Sequence, residues 1–188
     1  HGGDGRRAAL KLLKPEISRD ERWRKRLARE ADIAKTFVHP NLVRLEDMGH
    51  TGELHWVAFE WVEGMTLAEN LQRLKEGGNR LELHEVAHFL LPIVQALQPL
   101  HVQGMIHRDL KPANVLLDYD GGVKLADFGL ARDTDPLQHT TFTQTGSVAG
   151  TVHYMAPEQA EGQELTPAAD IYALGVIWHE LLTGRRPG

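Results

Sequence analysis

The residues best equipped for chemistry stand in one run, His107-Arg108-Asp109-Leu110-Lys111-Pro112-Ala113-Asn114, and Asp127-Phe128-Gly129 follows after a short hairpin pattern. The run gathers an acid, two bases and an amide of the kind that binds hard metal ions. A loop this dense in polar groups cannot be core, because each group would need a partner in a dry interior. It is either solvated or a site.

Elements on either side must position such a loop. Ala8 to Leu13 is a short apolar run broken by Lys11 and bounded by Gly5 and Pro15, which reads as a strand. Ser18 and Glu21 have the spacing of a capping box, opening a helix to about Thr36 whose apolar stripe takes Trp23, Leu27, Ala31 and Ala34. Glu30 lies on that stripe, and an inward carboxylate needs a partner; Lys11 is the nearest inward base, so the two are expected to pair. Leu42 to Met48 and Leu54 to Phe59 read as two further strands, and Glu60 to Gly64 as an irregular connection between two lobes. Helices are expected over Thr66 to Lys75 and Leu83 to His101, the second interrupted by Pro92 and Pro99. Val115-Leu116-Leu117 and Val123-Lys124-Leu125 form a strand pair across an Asp- and Gly-rich turn. Asp127 to Glu158 is a long Thr-rich segment without apolar periodicity, the kind of connection that is functional or disordered. Thr166 to Thr183 is apolar nearly all round and is expected to be a buried central helix, in which Asp170 would need partners.

The spacing of His107, Arg108, Asp109, Leu110 and Asn114, followed by Asp127-Phe128-Gly129 and Ala156-Pro157-Glu158, resembles the eukaryotic-like (Hanks-type) serine/threonine protein kinases. The likeness is nearest the bacterial branch, through His107 to Leu117, Thr151 to Gln159 and Asp170 to Gly175. It implies an α+β, two-lobed fold: a small antiparallel sheet with one helix in residues 1–62, ending in the hinge, then a mainly helical lobe in 63–188.

The resemblance also implies roles. Asp109 would accept or orient the proton of a substrate hydroxyl, and Lys111 would contact the transferring phosphate. Asn114 and Asp127 would bind Mg2+, and Lys11, fixed by Glu30, would hold the inner phosphates of ATP. Ala9 and Leu116 would sandwich adenine, the backbone of Glu60 and Val62 would face its edge, and Phe59 would guard the pocket behind. Asp170 would hold the backbone of the catalytic loop. Lys111, two places after Asp109, points to Ser/Thr rather than Tyr in protein substrates. Thr66 and Ala113 replace the acids that favour Arg-rich substrates. Arg108 would receive a phosphate from the Thr-rich segment, at Thr143 or Thr145 before Thr140, Thr141 or Ser147, through self-association and trans-autophosphorylation. Two other readings stand beside this one: a catalytically silent pseudokinase or scaffold, and a small-molecule phosphotransferase of related fold.

Composition excludes several classes. With 188 residues, 41% hydrophobic and 25% charged, the chain supports a soluble globular core. A net charge of -5, without a sustained basic stretch outside Arg22 to Arg29, argues against nucleic-acid binding. The absence of cysteine removes disulfide and thiol chemistry and is compatible with the cytoplasm, although a tether outside these residues would be compatible too. No apolar run reaches the roughly 18 residues of a membrane helix. His84-Glu85-Val86-Ala87-His88 spells a zinc-protease pattern, but Leu91 and Val94 occupy the positions where extended versions place Gly and His, and no third ligand is evident. The turn at Asp118 lacks the length and terminal Glu of a calcium loop. Only ten residues precede Lys11, too few for the family's Gly-rich loop, and the last helices of the family are also missing, so both ends are expected to be cuts and the piece alone weakly active or inactive.

Overall fold

The computed structural model of the chain describes residues 5–13, 21–127 and 152–187, and within 21–36 the side chains of residues 21, 25 and 31–36. Strands β1 (Ala8–Leu12), β2 (Leu45–Thr51) and β3 (Leu54–Glu60) form an antiparallel sheet in the order β1-β3-β2. Pairing of Ala9 with Phe59 and of Lys11 with Val57 sets the register. Alternation then sends Leu10 and Leu12 to solvent and Ala9, Lys11 and Leu13 to the other face, so Lys11 is an inward residue of an edge strand. Helix α1 (Glu21–Thr36) contributes buried Ala31 and Ala34 to the core, as the stripe predicts; Trp23, Leu27, Glu30 and Ser18 fall outside the described side chains.

A second sheet joins β4 (Gly64–Thr66), β5 (Val115–Asp118) and β6 (Val123–Leu125) in that order. Strand β4 is missed by sequence reasoning, because Gly64-Met65-Thr66 carries no strand pattern and is extended only by pairing with β5. Leu42, expected in a strand with residues 43–48, instead makes a lone parallel bridge to Leu125. Around it the Leu125 amide donates to Asn41 O at 2.8 Å and the Val43 amide to Leu125 O at 2.9 Å, which ties the two sheets together.

Helix α2 (Leu67–Glu76) is capped by Thr66, whose hydroxyl accepts from the Glu69 amide while Glu69 accepts from the Thr66 amide. Helix α3 (Leu83–Val102) continues through Pro92 and Pro99 and buries Val86, Ile93, Ala96, Leu97 and Leu100. After a 3-10 turn at Val152–Tyr154 come the short α4 (Pro157–Ala160) and α5 (Ala168–Thr183). The expectation that the last helix is buried all round is corrected. Ala169, Asp170, Ala173, Val176, Ile177, Glu180 and Leu181 are buried, whereas Ile171, Tyr172, Trp178 and Leu182 are exposed, since the packing reaches only one face. Among the described residues no helix is long and apolar enough to cross a membrane.

Candidate active site

The site begins with how the loop from His107 is held. Asp170, 1% exposed on α5, accepts from the His107 amide at 2.8 Å and from His101 Nε2 at 2.7 Å through one oxygen. Its other oxygen accepts from the Arg108 amide at 2.9 Å. Arg108 adopts φ +67°, a left-handed backbone that a non-glycine residue keeps only when its surroundings fix it. The His107 ring is buried between two further bonds. The Asp109 amide donates to Nδ1 at 3.3 Å, so Nε2 carries the hydrogen that meets Ala126 O at 2.9 Å. Burial pushes the imidazole below its ordinary pKa, against the opposing pull of Asp170, which keeps the neutral form this geometry requires.

These supports bring the candidate catalytic groups together. Lys111 Nζ lies 3.0 Å from Asp109 Oδ2, and Asn114 Nδ2 donates to Asp109 O at 2.8 Å and Oδ2 at 3.2 Å. With its Nδ2 turned to Asp109, the Asn114 amide keeps its oxygen as the acceptor for anything bound on the other side. The Ala126 amide returns to Asn114 O at 2.8 Å, tying β6 to the loop just before Asp127. Asp127 has φ +60° and meets Lys11 Nζ at 2.9 Å.

The expected pairing of Lys11 with Glu30 lies outside the described residues, because the Glu30 side chain is not among them. Among the described residues the Lys11 ammonium meets Asp127, because β1 aims it across the space between the two sheets. Phe59 is buried opposite Ala9, Val62 and Leu116 are half-buried against the core, and Leu116 lies between Thr66 and Lys124 in the second sheet. Phe128, Gly129, Thr140, Thr141, Thr143, Thr145, Ser147 and Thr151 lie outside the described residues.

Some contacts have no local signal in the sequence. The Glu60 carboxylate, at the end of β3, accepts from the Arg44 amide at 2.8 Å and from Lys124 Nζ at 2.9 Å, so one side chain joins both sheets. Tyr154 donates its hydroxyl to buried Glu180, and burial followed by that bond raises the phenol's pKa. Gln159 Nε2 donates to Arg108 O at 2.7 Å. His88 Nε2 engages Gly121 O at 3.1 Å, and Asp118 Oδ1 accepts from the amides of Asp120 and Gly122. Among the described residues no three His, Asp or Glu side chains form a metal cluster.

A three-stranded antiparallel sheet with one helix, a mainly helical second part, an Asp-Lys-Asn loop and an Asp-Lys pair make up the fold and candidate site of a protein kinase. The chain belongs to that family: the protein kinase domain matches residues 1–188. It is 41% identical over 182 residues to the serine/threonine-protein kinase PrkC of Bacillus subtilis, covering 97% of this chain and 27% of the relative. To the serine/threonine-protein kinase PknA of Mycobacterium tuberculosis it is 39% identical, covering 97% of this chain and 42% of that protein. A crystal structure of the Mycobacterium tuberculosis PknI kinase domain, in a doubly substituted form, superposes with a TM-score of 0.76 at 29% identity, covering the whole of this chain and 68% of that one. The chain thus spans less than half the length of these two curated relatives.

Proposed function

We propose that this chain is the catalytic part of a serine/threonine protein kinase, transferring the γ-phosphoryl group of ATP to hydroxyls of protein substrates. The observation that carries the reading is the convergence of Lys111 Nζ and Asn114 Nδ2 on one oxygen of Asp109, at 3.0 and 3.2 Å. Phosphoryl transfer asks a protein mainly to align the nucleophile and to balance charge. Asp109 orients the substrate hydroxyl and takes its proton. Lys111, held beside it, meets the negative charge of the phosphoryl oxygens, and Lys11 holds the inner phosphates once its ammonium leaves Asp127 for ATP.

Asn114 and Asp127 fit Mg2+ by the chemistry of their donors: an amide oxygen opposite a nitrogen already bonded to Asp109, and a carboxylate about 40% exposed. The ion supplies neutralisation of charge on the phosphates. In this reading residues 1–62 and 63–188 are the two lobes, Glu30 supports Lys11, Ala9 and Leu116 bracket adenine, Phe59 closes the rear of the pocket, and the backbone of Glu60 and Val62 faces the base. The domain works in the cytoplasm, where ATP is. Phosphorylation at Thr143 or Thr145, through self-association, regulates it.

The test uses the full-length protein carrying this chain with Mg2+-ATP, a generic protein substrate and, in parallel, aminoglycoside and choline. Phosphoserine or phosphothreonine in the protein, lost in Asp109→Asn, is the expected result. Phosphorylation of the small molecules alone, or no turnover, would overturn the reading.

A further inference from the structure

Gln159 lies on α4, outside the loop of residues 107–114, yet its half-buried side chain reaches the backbone of that loop. Its Nε2 donates to the carbonyl of Arg108 at 2.7 Å; a carbonyl only accepts, so the nitrogen must face it. That carbonyl belongs to the peptide joining Arg108 to Asp109.

The same residue is held on its other side, where the Arg108 amide donates to Asp170 Oδ1 at 2.9 Å. Arg108 therefore has both backbone polar groups fixed by side chains from separate helices, at φ +67°. The two ties have different effects. Asp170 restrains the entry to Arg108, whereas Gln159 restrains rotation about its ψ, and this rotation carries the amide and Cα of Asp109 with it. The restraint the loop itself offers the Asp109 amide is weaker, a 3.3 Å bond to His107 Nδ1.

We propose that Gln159 is a positioning residue for Asp109: its amide fixes the peptide plane before the catalytic aspartate, so that seating of α4 and the geometry of the loop are coupled. The kinetic part of this proposal rests on the phosphotransfer reading above. A small misplacement of a reacting group is expensive, because alignment is most of what the protein contributes to this reaction.

The full-length protein is tested as Gln159→Leu, which removes the donor at similar length, and Gln159→Glu, which places a carboxylate against the carbonyl. Loss of one such hydrogen bond is expected to lower kcat about tenfold in Gln159→Leu, with KM for ATP within about twofold and the protein still fully folded at the assay temperature. In Gln159→Glu the ratio of kcat to wild type should rise as pH falls, because a protonated carboxyl regains a donor, while the ratio for Gln159→Leu stays flat. Hydrogen exchange at the amides of His107 to Leu110 reads the tether without turnover and should quicken about tenfold in Gln159→Leu. Wild-type kcat together with wild-type exchange in Gln159→Leu would overturn the proposal. A wild-type protein that phosphorylates nothing would overturn the kinase reading instead, and the exchange measurement would still decide the tether.

Discussion

Replacing Asp170 by Asn is the sharpest probe of how the loop is built. The carboxylate is buried and accepts three hydrogen bonds, from the amides of His107 and Arg108 and from His101 Nε2. Asn keeps the shape but has one oxygen instead of two. The best arrangement puts that oxygen where Oδ2 takes two bonds, which leaves the new NH2 facing the Arg108 amide, donor against donor. The loss comprises one charge-assisted bond of about 1.5–3 kcal/mol and an unmatched N–H of about 1–3 kcal/mol, partly relieved by rotation, so a net destabilisation of about 2–4 kcal/mol is expected. Against a domain stability of about 5–15 kcal/mol this leaves a folded protein with a clearly shifted transition. Because the stranded amide is that of Arg108, kcat should fall further than the fraction of folded protein explains. Urea denaturation at constant m-value gives the stability, and kinetics at temperatures where the variant is fully folded give kcat. A variant with wild-type midpoint and wild-type kcat would refute the argument that Asp170 supports the left-handed backbone of Arg108.

Lys11→Met should abolish phosphoryl transfer while changing stability by no more than about 1 kcal/mol, because the ion pair with Asp127 is about 40% exposed on both sides and screened; parallel activity and melting measurements check both. The depressed pKa of His107 means that the unfolded chain binds a proton the folded one refuses as pH falls below the ordinary value of 6.5. Stability should therefore be full above that pH and decline below it, and a His107→Gln variant should lose this part of the slope in denaturation curves across pH. Gly64→Ala should destabilise by about 1–3 kcal/mol, because an added Cβ would meet Leu117 O at 1.9 Å and force β4 from β5; the urea midpoint reports it.

Much of the site was legible because its chemistry is written in a contiguous run. Asp109, Lys111 and Asn114 occupy six consecutive positions, so residue type and spacing alone bring them within a few ångströms. Lys11 was legible as an inward base because strand alternation has a period of two. By itself the sequence determined the family, the order of the longer strands and helices but not β4 or α4, and the loop that carries the chemistry. The register, the partners and the degree of burial were decided by tertiary structure. Lys11 engages Asp127, 116 positions away; Glu60 reaches Lys124; Gln159 reaches Arg108. The apolar last helix is half exposed because burial depends on what packs against a face, not on the face alone. The physical reason is common to all of these: local patterns encode backbone conformation and one-sided hydrophobicity, whereas a hydrogen bond between distant residues exists only once the packing of whole elements has brought donor and acceptor to about 3 Å.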